Sequence, residues 1–222
     1  MNSIKLLLLK VFFGKFSYDY QNKFFQLNNY GKSRKKHLQE CSRINGYGHL
    51  FAAFEFDRKI TVVTSQETIT FQDIKPYEKF RKFIGKHKNY IGYDIERYDS
   101  IYWKRIAYKA KMFNTKPRII YHFINNLFFF GEIFFSDARN INIEEIRKSL
   151  CEKYGINSIS MEEKFKIYTP DAFIFFDFSG INLSIKYVFT TDKTINDIVT
   201  NQIMKIGRKT QDVLEIPLEE MF

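Results

Sequence analysis

IIYHFINNLFFFGEIFFSD, residues 119 to 137, is two very apolar runs separated by Asn125-Asn126. Aromatic and β-branched residues at this density favour strands, and paired asparagines suit the positive φ angles of a two-residue hairpin turn. The segment therefore predicts a β-hairpin, and the rest of the second half falls into place around it. NINIEEIRKSLCEKYG, residues 140 to 155, predicts a helix: Asn142 is placed to cap it, Glu145 to bond back, Ile143, Ile146, Leu150 and Tyr154 form one stripe, and Gly155 stands where a left-handed stop belongs. Strands are predicted at about 162 to 168, 171 to 178 and 181 to 189. A last helix is predicted from Ile195 to Ile206, with Thr194 as its cap, Asp197 three residues on and Gly207 as its stop. The order β-β-α-β-β-β-α implies an α+β protein built on antiparallel sheet with packed helices.

The first half reads less uniformly. HLFAAFEFD at 49 to 57 followed by ITVVTS predicts a hairpin, and SRKKHLQE at 33 to 40 a basic loop or helix start. KPYEKFRKFIGKHK predicts a helix with Pro76 in its first turn and Tyr77, Phe80, Phe83 and Ile84 opposite Lys79, Arg81 and Lys82. Between Asp94 and Phe113 the residues Ile95, Tyr98, Tyr102, Ile106, Ala110 and Phe113 recur every three or four positions, which predicts a long amphipathic helix whose last turns carry Lys104, Arg105, Lys109 and Lys111. The opening stretch MNSIKLLLLKVFFGKF is too short to span a bilayer, and Lys10 interrupts its apolar run; Leu6 to Phe13 is expected to be a buried helix or strand.

Charge divides the chain. Residues 1 to 120 hold 24 Lys and Arg against 10 Asp and Glu, a balance of +14, whereas residues 121 to 222 hold 11 against 15, a balance of −4. We accordingly distinguish a basic region, 1 to 115, and an acidic region, 116 to 222, in one or two domains. Aromatics at 18% of the chain place it far from disordered compositions. Cys41 and Cys151 are far apart, with no metal-ligand spacing, which fits reduced thiols in the cytoplasm.

PDAFIFFDFSGINLSIKY, residues 170 to 187, carries one resemblance. Asp171 after Pro170, then a hairpin, then Ser184-Ile185-Lys186, resembles the PD-(D/E)xK nuclease motif with serine in place of its middle acid. The resemblance would make Asp171 a Mg²⁺ ligand and Lys186 the lysine that positions the attacking water. A neutral hydroxyl is a poor substitute for one of two carboxylates, and Glu162-Glu163-Lys164 supplies an acid-x-lysine string only on the wrong side of Asp171. The stretch is read first as core. A two-residue turn at Ser179-Gly180 would pair Phe178 with Ile181, Phe176 with Leu183, Ile174 with Ile185 and Ala172 with Tyr187, leaving a second, half-exposed face.

No other reaction centre emerges. His37, His49, His87 and His122 are scattered, GYGHL lacks phosphate-loop spacing, and no GxSxG or HExxH string occurs. Glu132 is a further catalytic candidate if buried, and is expected instead on an edge strand facing water. No metal and no cofactor is expected. The expected function is that of a non-enzymatic cytoplasmic interaction protein, binding and neutralising a protein partner as immunity proteins and antitoxins do. The alternative is nucleic-acid binding, including a degenerate nuclease, through Lys35, Lys36, Lys82, Lys86, Lys104, Arg105 and Lys109. A membrane partner is not expected, although a third reading makes residues 1 to 16 the anchor of a peripheral membrane protein.

Overall fold

The structure, a computed structural model, describes residues 2–27, 60–72, 74–98, 101–157, 163–199 and 201. Helices α1 (Asn2–Phe13) and α2 (Tyr18–Leu27) precede β1 (Thr61–Thr64), α3 (Phe80–Lys86), β2 (Gly92–Tyr98), β3 (Ile101–Lys109), β4 (Arg118–Ile124), β5 (Leu127–Phe135), α4 (Ile143–Lys153), β6 (Lys164–Tyr168), β7 (Ala172–Phe178) and β8 (Leu183–Phe189). A fifth helix, α5, covers 193–199. The eight strands form one sheet in the order β1-β6-β7-β8-β5-β4-β3-β2, antiparallel throughout except for the parallel β1–β6 pair. The fold is α+β, and its second half follows the expected order.

The predicted helix over 94 to 113 is instead the β2–β3 hairpin, with Tyr98 opposite Ile101. Dense Ile, Tyr and Trp satisfy a period of two as readily as one of three to four, and β-branched and aromatic side chains pack better on a pleated surface than against a helix turn. Trp103, Arg105 and Ala107 are buried on one side of β3. The helix-dipole account of Lys104 and Arg105 falls with the helix.

The β4–β5 turn is as expected: Asn125 and Asn126 have φ of 47° and 72°. Asn142 caps α4 by accepting from the Glu145 N–H, and Gly155 takes a φ of 62° beyond its end. The cap of α5 is Asp192, whose carboxylate accepts from the Ile195 N–H at 3.0 Å, rather than Thr194. In the β7–β8 hairpin Phe178 pairs with Leu183 and Ala172 with Phe189, so the loop has four residues, closed by the Ser179 N–H donating to the Asn182 carbonyl at 2.9 Å. The register differs from the expected one by two residues. A shift of two keeps every side chain on its face, which is why the facial assignment survived.

Both faces of the sheet are covered. On the first, Phe80 and Phe83 of α3, Ile146 and Leu150 of α4, and Ile69, Phe71 and Ile74 of the preceding loop pack against Ile106, Tyr121, Phe128, Ile174 and Ile185 among others. On the second, Trp103, Phe129, Phe130, Phe173, Phe175 and Val188 cluster with Ile195 and Val199 of α5. A bulge between His122 and Phe123 leaves Phe129 without a directly opposed partner and sends Phe128 and Phe130 to different faces. The basic run at 33 to 40, the arm at 49 to 57 and the Gly207 stop lie outside the described residues. Among the described residues no helix is long and apolar enough to cross a membrane.

Candidate functional site

A groove of about 900 Å³ opens where four separate segments meet: the α1–α2 turn, α3, Lys104 of β3 and the β4–β5 turn. Each wall is held in place by local chemistry. Gly14, at φ 80°, lets the chain reverse after α1, and its N–H donates to the Lys10 carbonyl at 3.0 Å. Ser17 caps α2, accepting from the Tyr20 N–H at 3.2 Å. Phe16 is anchored by edge contacts to Phe80 and Tyr93, and the Tyr93 hydroxyl donates to the Phe16 carbonyl at 2.7 Å. The start of α3 is tied to the turn by the Phe80 N–H, which donates to the Asn126 carbonyl at 2.7 Å.

The lining includes Lys15, Lys79, Arg81 and Lys104 and no carboxylate, interleaved with Phe12, Phe13, Phe16 and Phe80. Lys104 is the most constrained of these cations. Its Nζ donates to Asn126 Oδ1 at 2.6 Å and lies 4.7 Å from the centre of the Phe80 ring. Burial pushes its ammonium down to about 8, so a negative group entering the groove would stabilise its charged form. Chemically the groove can hold an anion between cations while offering apolar ring surface to whatever carries it.

Among the described cations considered for nucleic acid, Lys79, Arg81 and Lys104 meet in the groove and the others do not join them. Lys104 lines the groove, but Lys82 and Lys86 share the buried carboxylate of Glu78, at 3.7 and 3.5 Å. Arg105 is buried on the second face, bound to Asp94 at 2.5 Å and also to Glu96, and Lys109 stands at the far end of β3 opposite Arg118. Lys35 and Lys36 lie outside the described residues.

The nuclease-like residues are likewise apart. The Asp171 carbonyl accepts from the Thr190 N–H, which sets Asp171 level with residue 190 of the neighbouring chain segment. Lys186 is four residues further along, or about 13 Å at strand rise. Asp171 is exposed, beside a cleft of about 220 Å³ that Glu67 also lines. Lys186 and Ser184 are buried. Among the described residues no group of three His, Cys, Asp or Glu side chains could hold a metal ion.

Glu132 is not on an edge. It is fully buried in central strand β5, accepts from Ser184 Oγ at 2.7 Å, and lies opposite Lys186. Across the sheet Lys166, Phe175, Lys186, Glu132 and Ile120 form one lateral row. Lys166 Nζ sits 4.1 Å over the Phe173 ring and Lys186 Nζ 5.2 Å over Phe175. Beyond them Trp103 Nε1 donates to His122 Nδ1 at 3.2 Å, and burial together with the Arg105 charge drives His122 well below its ordinary range, so it is neutral. The second face is thus a sheet surface that holds buried charges among hydroxyls, opposite charges and ring faces, Glu132 with Ser184, Arg105 with Asp94 and Glu96, and Lys166 over the Phe173 ring. Sequence reasoning missed this network because Asp94, Glu96 and Arg105 were read on one helix; as facing strands, their alternation is a recognisable signal. Lys15 was missed too, having no local signature.

The chain matches no protein-family model, no curated protein and no solved structure.

Proposed function

We propose that the chain is an interaction protein whose basic groove receives an acidic segment of a partner protein. The observation that carries this reading is the lining of the groove, where Lys15, Lys79, Arg81 and Lys104 converge without a carboxylate. Its size is that of a pocket for a few side chains, and its phenylalanines supply the apolar contact that peptide recognition uses. A nucleic-acid track needs cations that continue along one surface. Here Glu78 offsets one of the two charges of Lys82 and Lys86, and Arg105 faces the other way, so the cations are fewer along any one surface than a track would use, which supports the protein reading over the nucleic-acid one. Covering an acidic functional surface of that partner is how an immunity- or antitoxin-like role would be carried out.

The test is fluorescence anisotropy with a labelled peptide rich in Glu, Asp and Phe, and with single-stranded DNA of the same charge, at about 50 and 200 mM salt. Preferential binding of the peptide, abolished by Lys79→Glu with Arg81→Glu, is the expected result. Tighter binding of the DNA with a steep loss at the higher salt would overturn the proposal in favour of nucleic acid.

A further inference from the structure

Helix α1 is well formed but not buried. Ile4, Leu7, Leu8, Val11 and Phe12 are all exposed, Val11 and Phe12 by 70% and 74%. At a rotation of about 100° per residue these five occupy one arc some 140° wide. Leu6 and Leu9, on the opposite side, are half-buried, with Phe13 on that side exposed at the helix end, where it turns to the groove, and α2 is the element α1 packs against. Lys5 and Lys10 project at the two margins of the exposed arc, and Lys15 follows in the turn. From residue 2 to 17 there are three lysines and no carboxylate.

A helix that presents an apolar stripe bordered on both sides by lysines has the form of one that lies in a membrane interface, its long lysine stems reaching outward to lipid headgroups. We infer that α1 docks flat on an anionic lipid bilayer, burying Ile4, Leu7, Leu8, Val11 and Phe12 among the acyl chains. Its 12 residues span about 18 Å, too short to cross the hydrocarbon core and long enough to lie along it. Charge complementarity selects this occupant. A second copy of α1 would set lysine margins against lysine margins, whereas anionic headgroups meet them with opposite charge. The groove continues the same basic surface, since Phe12, Phe13 and Lys15 line it together with Lys79 and Arg81. This inference goes beyond the peptide-binding reading; it shares Phe12 and Lys15 with the groove, while Leu7, Val11, Lys5 and Lys10, on which its test turns, do not line it.

The experiment is flotation of the full chain with vesicles of phosphatidylcholine alone and of phosphatidylcholine with phosphatidylserine at roughly 7:3. Binding to the mixed vesicles only, weakened by salt and lost in the Leu7→Asp/Val11→Asp variant at unchanged melting temperature, is the expected result. Lys5→Glu and Lys10→Glu should each weaken it by about fivefold or more, from the loss of one cation near the surface. Failure to float with the mixed vesicles, or equal flotation of the Leu7→Asp/Val11→Asp variant, would overturn the inference. So would a dimer of the wild-type chain, seen by sedimentation, that the same variant dissociates. The acidic-peptide assay on that variant reports on the groove separately.

Discussion

The Phe71 ring packs directly against Gly131. A Cβ added at residue 131 would come within 2.3 Å of the Phe71 ring, far inside van der Waals contact. The ring is seated between Tyr121 and Tyr187, the residues that flank Gly131 on β4 and β8, at centroid distances of 5.2 and 5.0 Å. The missing side chain of a central-strand glycine is therefore the socket for a loop aromatic. Gly131→Ala should destabilise by about 1–3 kcal/mol through overpacking, and Phe71→Ala by about 3–5 kcal/mol. In the Phe71→Ala background Gly131→Ala should be nearly neutral. Urea midpoints for the four proteins read out the coupling, and additive effects would show that the ring does not use the socket.

Arg105 holds two carboxylates, Asp94 deeply buried and Glu96 partly so. Arg105→Met should destabilise by about 3–5 kcal/mol, because it leaves buried charge uncompensated rather than because the ion pair itself is worth that much. The triple variant Arg105→Met/Asp94→Asn/Glu96→Gln should recover much of the loss in thermal or urea unfolding.

Lys166 is 1% exposed, and burial lowers its ammonium to about 8 from an ordinary 10.5. Because the folded value is the lower one, the unfolded chain holds the extra proton between those limits. Stability from this residue therefore rises with pH from about 8 toward 10.5 and is lacking below 8. Lys166→Met should stabilise the protein at neutral pH and reduce that rise, leaving the part that comes from Lys104, whose ammonium burial also lowers to about 8. Buried Tyr187, pushed upward by desolvation, acts in the opposite direction near pH 10 and above, so the comparison of the two proteins between pH 8 and 10 isolates the lysine.

Leu150 sits under α4 in the main core. Leu150→Asp should unfold the protein by placing a charge there, at several kcal/mol, while Asn142→Ala, which removes the cap of the same helix, should cost about 1 kcal/mol. Circular dichroism melts distinguish the two.

The groove predicts a division among cations that are close in sequence. Lys104→Met and Arg81→Glu should each weaken acidic-peptide binding by about tenfold or more, whereas Lys82→Ala with Lys86→Ala should change it less than threefold, since neither lines the groove and Glu78 offsets one of their two charges.

What the sequence made legible follows from where the deciding information lies. The 119–137 hairpin, α4 and the β7–β8 pair were readable because turn asparagines, a cap, a stop glycine and alternation are local signals. The β2–β3 hairpin was not, since Ile95, Tyr102 and Ile106 fit a helical spacing by chance in a segment rich in large apolar residues. Leu7 and Val11 were expected inside because apolar runs usually are, and nothing local records that α2 covers only the Leu6 and Leu9 side. The groove was illegible for another reason: Lys15, Arg81, Lys104 and Asn126 lie on four segments, and only the packing of Phe16 and Phe80 brings them together.

The parallel β1–β6 pair sets the sequence of events during synthesis. Thr61 pairs with Phe165, about a hundred residues later, whereas β2 through β5 form a meander of neighbours. On the ribosome that meander can zip as it emerges, but β1, the first strand among the described residues, stays without its β6 ladder until Tyr168 has been translated.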